Sequence, residues 1–207
     1  MSLNRERLAQ EIVDAGRFLY GRGWSPATSS NYSARLSPTE ALLTVSGKHK
    51  GQLGTDDVLA TDLHGNSLEP GKKPSAETLL HTQLYAWEPR IGAVLHTHSV
   101  NATVLSRLTA ETCLTFQDYE LQKAFSGIST HESLLTVPIF DNDQDIARLA
   151  AKVQPWLDRH PDCVGYLIRG HGLYSWGARM SDALRQVEAF EFLFECELKM
   201  RSLSGRS

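Results

Sequence analysis

Two short apolar runs in this chain lead into histidines. Residues 91–96 read Ile-Gly-Ala-Val-Leu-His and continue through Thr97 to His98; residues 164–168 read Val-Gly-Tyr-Leu-Ile and pass through Arg169 and Gly170 to His171. Runs of this length and composition are expected as buried strands. Residues two apart on a strand point to one face, so His96 and His98 should be presented together. Paired imidazoles repel when both are protonated and share a divalent cation when both are neutral, although structural pairs also occur. His171, flanked by Gly170 and Gly172, is the candidate third ligand, because glycines permit unusual backbone angles and close approach. Three imidazoles with an open fourth position suit a catalytic zinc rather than a closed structural one. The alternative is that Gly170-His171-Gly172 is only a tight turn.

Helices and strands interleave around these runs. A helix is expected over residues 4–23, with Asn4 as cap, Leu8, Ile12, Ala15 and Leu19 on its apolar face, and Gly21 and Gly23 at its end. A polar loop covers 25–31, and strands are expected over 32–36, 41–45, 58–61, 91–96, 134–140 and 164–168, with Pro138 near a sheet edge. Ser75 should cap a helix ending at Trp87, just before Pro89. Further helices are expected over 100–108, over 143–153, and from Ser181 along a stripe of Leu184, Val187, Phe190, Phe194 and Leu198. No repeat or linker interrupts the 207 residues, and a chain this long buries about 70% of its unfolded surface around one core. The expectation is one mixed α/β domain over residues 1–207.

Composition narrows the partners. Lys and Arg number 21 against 24 Asp and Glu, a net charge of −3, which offers nothing to nucleic acid or to an anionic membrane. Cys113, Cys163 and Cys196 form no Cys-x-x-Cys pair, so neither a disulfide framework nor a thiolate zinc site is indicated. No apolar run is long enough to span a membrane and residues 1–16 lack a signal-peptide core, so a cytoplasmic location is expected. Neither a GxxxxGK[ST] loop nor a GxGxxG fingerprint supports nucleotide binding.

The remaining polar motifs read in two ways each. Glu77, in Pro74-Ser75-Ala76-Glu77, is a first-turn acid that favours the helix dipole or stands beside a metal. Glu120 is an amphipathic-helix acid with Lys123 as its surface partner, or a catalytic group. Thr28-Ser29-Ser30-Asn31 and Ser46-Gly47-Lys48 are ordinary turns singly. With Ser75 they offer the hydroxyls, amides and lysine that a phosphate monoester requires. His49, His64, His131 and His160 are read as solvated or structural, and Cys113 and Phe116 as packing.

In chain order, Ala27-Thr-Ser-Ser-Asn31-Tyr-Ser33, Thr44-Val-Ser-Gly47, Pro74-Ser-Ala-Glu77, Val94-Leu-His-Thr-His-Ser99, and Arg169-Gly-His-Gly172 with Trp176-Gly177 resemble the class II aldolase/adducin family over nearly the whole chain. The resemblance implies a three-layer α/β domain with a central, mostly antiparallel sheet flanked by helices. It implies a homotetramer with sites between subunits, and one Zn2+ per subunit held by His96, His98 and His171. Glu120 would be the catalytic acid/base, with Glu77 sharing that role or resting on the metal. Thr28, Asn31, Ser46, Gly47 and Ser75 would bind the phosphate of a small ketose phosphate. Two departures stand out: Ser30 where many relatives have glycine, and Ala76 where the aldolases have a second serine. Gly21-Arg-Gly-Trp24, Tyr119-Glu120-Leu-Gln-Lys123-Ala and His171-Gly-Leu-Tyr-Ser-Trp-Gly177 are most similar to the family's dehydratases. The implied activity is dehydration of a ketose 1-phosphate, with aldol cleavage or 4-epimerisation as the alternative and a non-catalytic adducin-like scaffold as the remoter one.

Overall fold

The structure is a computed structural model that describes residues 3–205. Its strands are β1 (Asn31–Arg35), β2 (Glu40–Thr44), β3 (Val58–Asp62), β4 (Ala93–Thr97), β5 (Cys113–Phe116), β6 (Leu135–Phe140), β7 (Gly165–Ile168) and β8 (Gly172–Gly177). The helices are α1 (Leu3–Gly21), α2 (Thr78–Trp87), α3 (Val100–Leu108), α4 (Ile146–Arg159) and α5 (Met180–Leu203). The strands make one sheet in the order β3-β2-β1-β4-β8-β7-β6-β5. Neighbours run antiparallel except β6 and β7.

Both faces of the sheet are covered, as its nearly continuous apolar central strands require. Leu95, Leu167 and Leu173 pack with α1, α3 and α5, while Val94, Tyr166, Ile168 and Tyr174 pack with α2 and α4. The result is the expected three-layer α/β arrangement. Strand register sets the site: Asn31 of β1 lies opposite His96 of β4, and His96 lies opposite Tyr174 of β8. These residues form one row across three neighbouring strands, on the α2 side.

Several local expectations are corrected. Asn4 does not cap α1, which already includes Leu3; its side chain instead accepts from Arg7 at 2.9 Å. Ser75 does not cap α2. Its hydroxyl accepts from the Glu77 amide at 3.3 Å, and the helix begins at Thr78 with Glu77 in the capping position. Pro138, by contrast, does lie near the sheet edge as expected, on β6, one strand in from edge strand β5. The Ile139 amide donates to Thr112 on the β5 side, so the N–H that Pro138 lacks would face β7, whose pairing begins only at Ile139. Helix α4 starts at Ile146 with Asp145 as its cap and runs through Pro155, leaving the bond to the carbonyl four residues earlier open on an exposed flank. Ser181 lies inside α5, one residue after its start. Strands β5 and β8 were not foreseen. Among the described residues no helix is long and apolar enough to cross a membrane.

Candidate metal centre

Strand β4 delivers His96 toward α2 with no solvent exposure. Its Nδ1 lies 2.9 Å from the Leu173 carbonyl; a carbonyl only accepts, so Nδ1 carries the proton and Nε2 presents a lone pair. The strand ends at Thr97, and the His98 amide then donates to the Trp24 carbonyl at 2.8 Å, which anchors the second imidazole beside the first. His171 occupies the turn between β7 and β8. Its amide donates to Ile168 at 3.0 Å, and Gly170 adopts φ +65° to close the turn. At Gly172 a Cβ would come within 2.0 Å of the Thr97 carbonyl. The glycines therefore serve both the turn and the approach of β8 to β4, and the turn carries the imidazole to the other two.

The rings of His96 and His98 lie 4.5 Å apart, His98 and His171 4.5 Å, and His96 and His171 4.9 Å, centroid to centroid. Glu77 joins them, with Oε2 3.3 Å from His96 Nε2 and Oε1 3.1 Å from His171 Nε2. One ligand atom from each of the four residues falls within 4.8 Å of the others. Burial pushes His96 down to about 4 and His98 to about 3, so both are neutral near pH 7. Burial alone would raise Glu77, but the His96 and His171 imidazoles and the Asn31 amide together hold its carboxyl well below the usual range. Three imidazoles, two of them held neutral by burial, beside one carboxylate are the donor set of a borderline divalent cation, and these residues fit such an ion.

Behind Glu77 runs a buried hydrogen-bonded chain. Asn31 donates its amide to Glu77 Oε2 at 2.7 Å, and its carbonyl faces His81 Nε2, which must therefore carry a proton. His81 Nδ1 then accepts from Ser33 at 2.8 Å, and the Ser33 hydroxyl oxygen is 2.8 Å from that of Tyr85. Burial pushes His81 down to about 3, keeping it neutral. Sequence reasoning passed over His81. Its signal was the four-residue spacing from Glu77, which places both on one side of a helix start.

A cleft of about 760 Å³ opens over the cluster, lined by Glu77, His98 and His171 and by Thr28, Asn31, Ser46, Gly47 and Ser75. The five residues assigned from sequence to phosphate thus meet beside the imidazoles. Asn31 reaches Glu77 as well. Ser30 has φ +73°, the left-handed region that glycine enters freely. Lys48 is turned away to Asp57 at 2.9 Å, and the lysine in the cleft wall is Lys50.

Glu120 is not brought to this cluster within the chain. It opens a short 3-10 turn after edge strand β5, rather than an amphipathic α-helix, and its exposed carboxylate pairs with Lys123 at 2.6 Å. Cys113 and Phe116 lie on β5 away from the cleft, with Phe116 packed against Phe194. His49 packs on Tyr20 and His160 stacks on Trp156, the structural roles expected of them.

Residues 10–198 match the sequence profile of the Class II Aldolase and Adducin N-terminal domain family. The chain is 85% identical over 206 residues to a methylthioribulose-1-phosphate dehydratase of Pseudomonas fluorescens, covering 100% of this chain and 99% of that one. It is 81% identical over 206 residues to the enzyme of the same name from Azotobacter vinelandii, covering all of both chains. Among solved structures it resembles an L-fuculose-1-phosphate aldolase from Thermus thermophilus with a TM-score of 0.78 and 25% identity, covering 98% of this chain and 100% of that one.

Proposed function

This chain belongs to the class II aldolase/adducin family, and on that footing we propose that it is a hydro-lyase acting on 5-methylthioribulose 1-phosphate. The product is 5-methylthio-2,3-dioxopentyl 1-phosphate, a step of methionine salvage. The observation that carries this reading is the cluster of three imidazoles and a buried carboxylate at the floor of one cleft walled by two anion-type loops.

His96, His98 and His171 would hold a Zn2+, with Glu77 beside it. When bound, such an ion polarises the carbonyl at carbon 2 and acidifies the proton on carbon 3. Thr28, Ser46, Gly47 and Ser75 hold the phosphate end and fix the reacting carbons over the cluster. Glu77, mostly buried and ionised, is placed to accept the carbon-3 proton or to rest against the ion. The electrons released expel the hydroxyl on carbon 4, which leaves as water with a proton from Glu120, and the enol then tautomerises to the 2,3-diketone. For Glu120 to give that proton, the closed site must part it from Lys123 and hold it protonated.

Glu120 reaches the cleft in this scheme from a neighbouring subunit of a homotetramer. In support, Val100, Val104 and Leu108 are exposed at four-residue spacing on α3, the helix that begins two residues after His98. That makes an apolar stripe suited to a second copy.

Glu77 at the cluster also suits aldol cleavage, so the assay must separate the two reactions. Zinc-loaded protein is given methylthioribulose 1-phosphate and the products are read by mass. Loss of one water with formation of a diketone supports dehydration. Two- or three-carbon fragments support an aldolase, and a protein that retains no zinc after loading and turns nothing over supports a scaffold.

A further inference from the structure

Among the described residues Lys50 is the one lysine or arginine that is buried, at 1% exposed. Its Nζ donates to the Thr28 carbonyl at 3.1 Å and to the Lys48 carbonyl at 2.7 Å, and no carboxylate pairs with it. These carbonyls belong to the two loops assigned to phosphate, so one ammonium ties them together. The third N–H has no protein acceptor, and the residue forms part of the cleft wall with Thr28, Ser46, Gly47 and Ser75. A buried cation without a counter-charge is costly unless something arrives to neutralise it. Burial lowers Lys50 to about 8, which leaves it largely protonated near pH 7. Lys48, the lysine that its loop brings to mind, is engaged by Asp57.

We infer that Lys50 is the cationic residue of the phosphate subsite: its ammonium clamps the two loops through their carbonyls and gives its third N–H to a phosphate oxygen. The substrate's dianion supplies the negative charge that the fold omits. Hydroxyls and amides then set the orientation of the phosphate, and Lys50 sets its affinity. This rests on the proposed reading only in taking a phosphate monoester as the ligand.

The test uses inorganic phosphate on the zinc-loaded protein, read by calorimetry and by competitive inhibition. Lys50→Met should weaken phosphate binding about 10- to 100-fold, as expected for one charge-assisted hydrogen bond. Lys50→Arg should recover much of that loss, and the metal content of both variants should match the unaltered protein. Lys50→Gln, which keeps a donor for the loop carbonyls, should bind phosphate as poorly as Lys50→Met. If Lys50→Gln or Lys50→Met binds phosphate as the unaltered protein does, Lys50 is only a loop clamp and the inference is overturned.

If neither variant folds, crystals of the unaltered protein soaked in phosphate decide. An oxygen within about 3.2 Å of Nζ supports the inference, and an anion held in the cleft beyond that reach overturns it. Phosphate binding that depends on Lys50 without any dehydration would leave the inference standing and remove the proposed reaction. Dehydration with Lys50-independent phosphate binding would do the reverse.

Discussion

Asn31 donates its side-chain amide to the Glu77 carboxylate at 2.7 Å and turns its carbonyl toward His81. A β-strand residue and a helix-capping residue are thus fixed against each other, and Glu77 is held ionised beside His96 and His171. Asn31→Asp would replace that donor with a second carboxylate and raise the pKa of the pair. Turnover should fall about 10- to 100-fold, as for loss of an outer partner of a metal site. The acid limb of the pH–rate profile should move to higher pH, because the pair ionises later. An unmoved acid limb in Asn31→Asp would detach Glu77 from the reaction.

His96→Ala removes the imidazole whose tautomer is fixed by Leu173. Metal content by elemental analysis and turnover should both collapse, while the secondary structure seen by circular dichroism stays. A variant with full zinc and full activity would dissolve the metal assignment.

Glu120→Gln should keep its zinc and lose about 100- to 10,000-fold in turnover. Co-expressing it with His96→Ala tests whether subunits share sites. Random mixing should restore about a quarter of the activity when Glu120 serves a neighbour's imidazoles. No recovery from mixed oligomers would confine Glu120 to its own chain.

Ser30 pays for its left-handed backbone at φ +73°. Ser30→Gly relieves that strain and loosens the unfolded chain, for a net gain of about 0.5 kcal/mol, while Ser30→Val should lose about 1–2 kcal/mol. Urea unfolding midpoints measure both.

The metal-free protein should weaken in acid. His81, His96 and His98 are held by burial at about 3, 4 and 3, below the ordinary 6.5. The unfolded chain takes up protons near pH 6.5 that the folded chain refuses until pH 4 or lower. Their contribution is therefore whole above pH 6.5 and drains away as pH falls toward 4. Urea midpoints between pH 7 and about 4.5 should fall, and His81→Gln should flatten the slope. Equal slopes would mean that His81 is protonated in the fold.

Much of the centre was legible because its signals are local. The His96-x-His98 spacing, the glycines around His171 and the run Pro74 to Glu77 each depend on a few consecutive residues. What escaped depends on the other side of the fold. Strand β8 carries Gly172 and Gly177 within six residues, which reads as turn until β4 and β7 close on it from either side. His81 looked like any helix histidine until the sheet register brought Asn31 opposite His96. The loop motif pointed to Lys48, because it names the nearest lysine, and only burial shows that Lys50 is the one in the cleft wall. Pro138 pointed rightly to the margin of the sheet, because the proline rule concerns one N–H, and on β6 that N–H would point where pairing with β7 has not begun.

β8 is the last strand in the chain and yet lies between β4 and β7, in the middle of the sheet. A nascent polypeptide halted before residue 172 has His96 and His98 but lacks the strand that brings His171 home. If the proposed ion binds there, its capture would be a late event of biosynthesis, and a cation retained through dialysis would certify that both halves of the molecule have joined in the correct alignment.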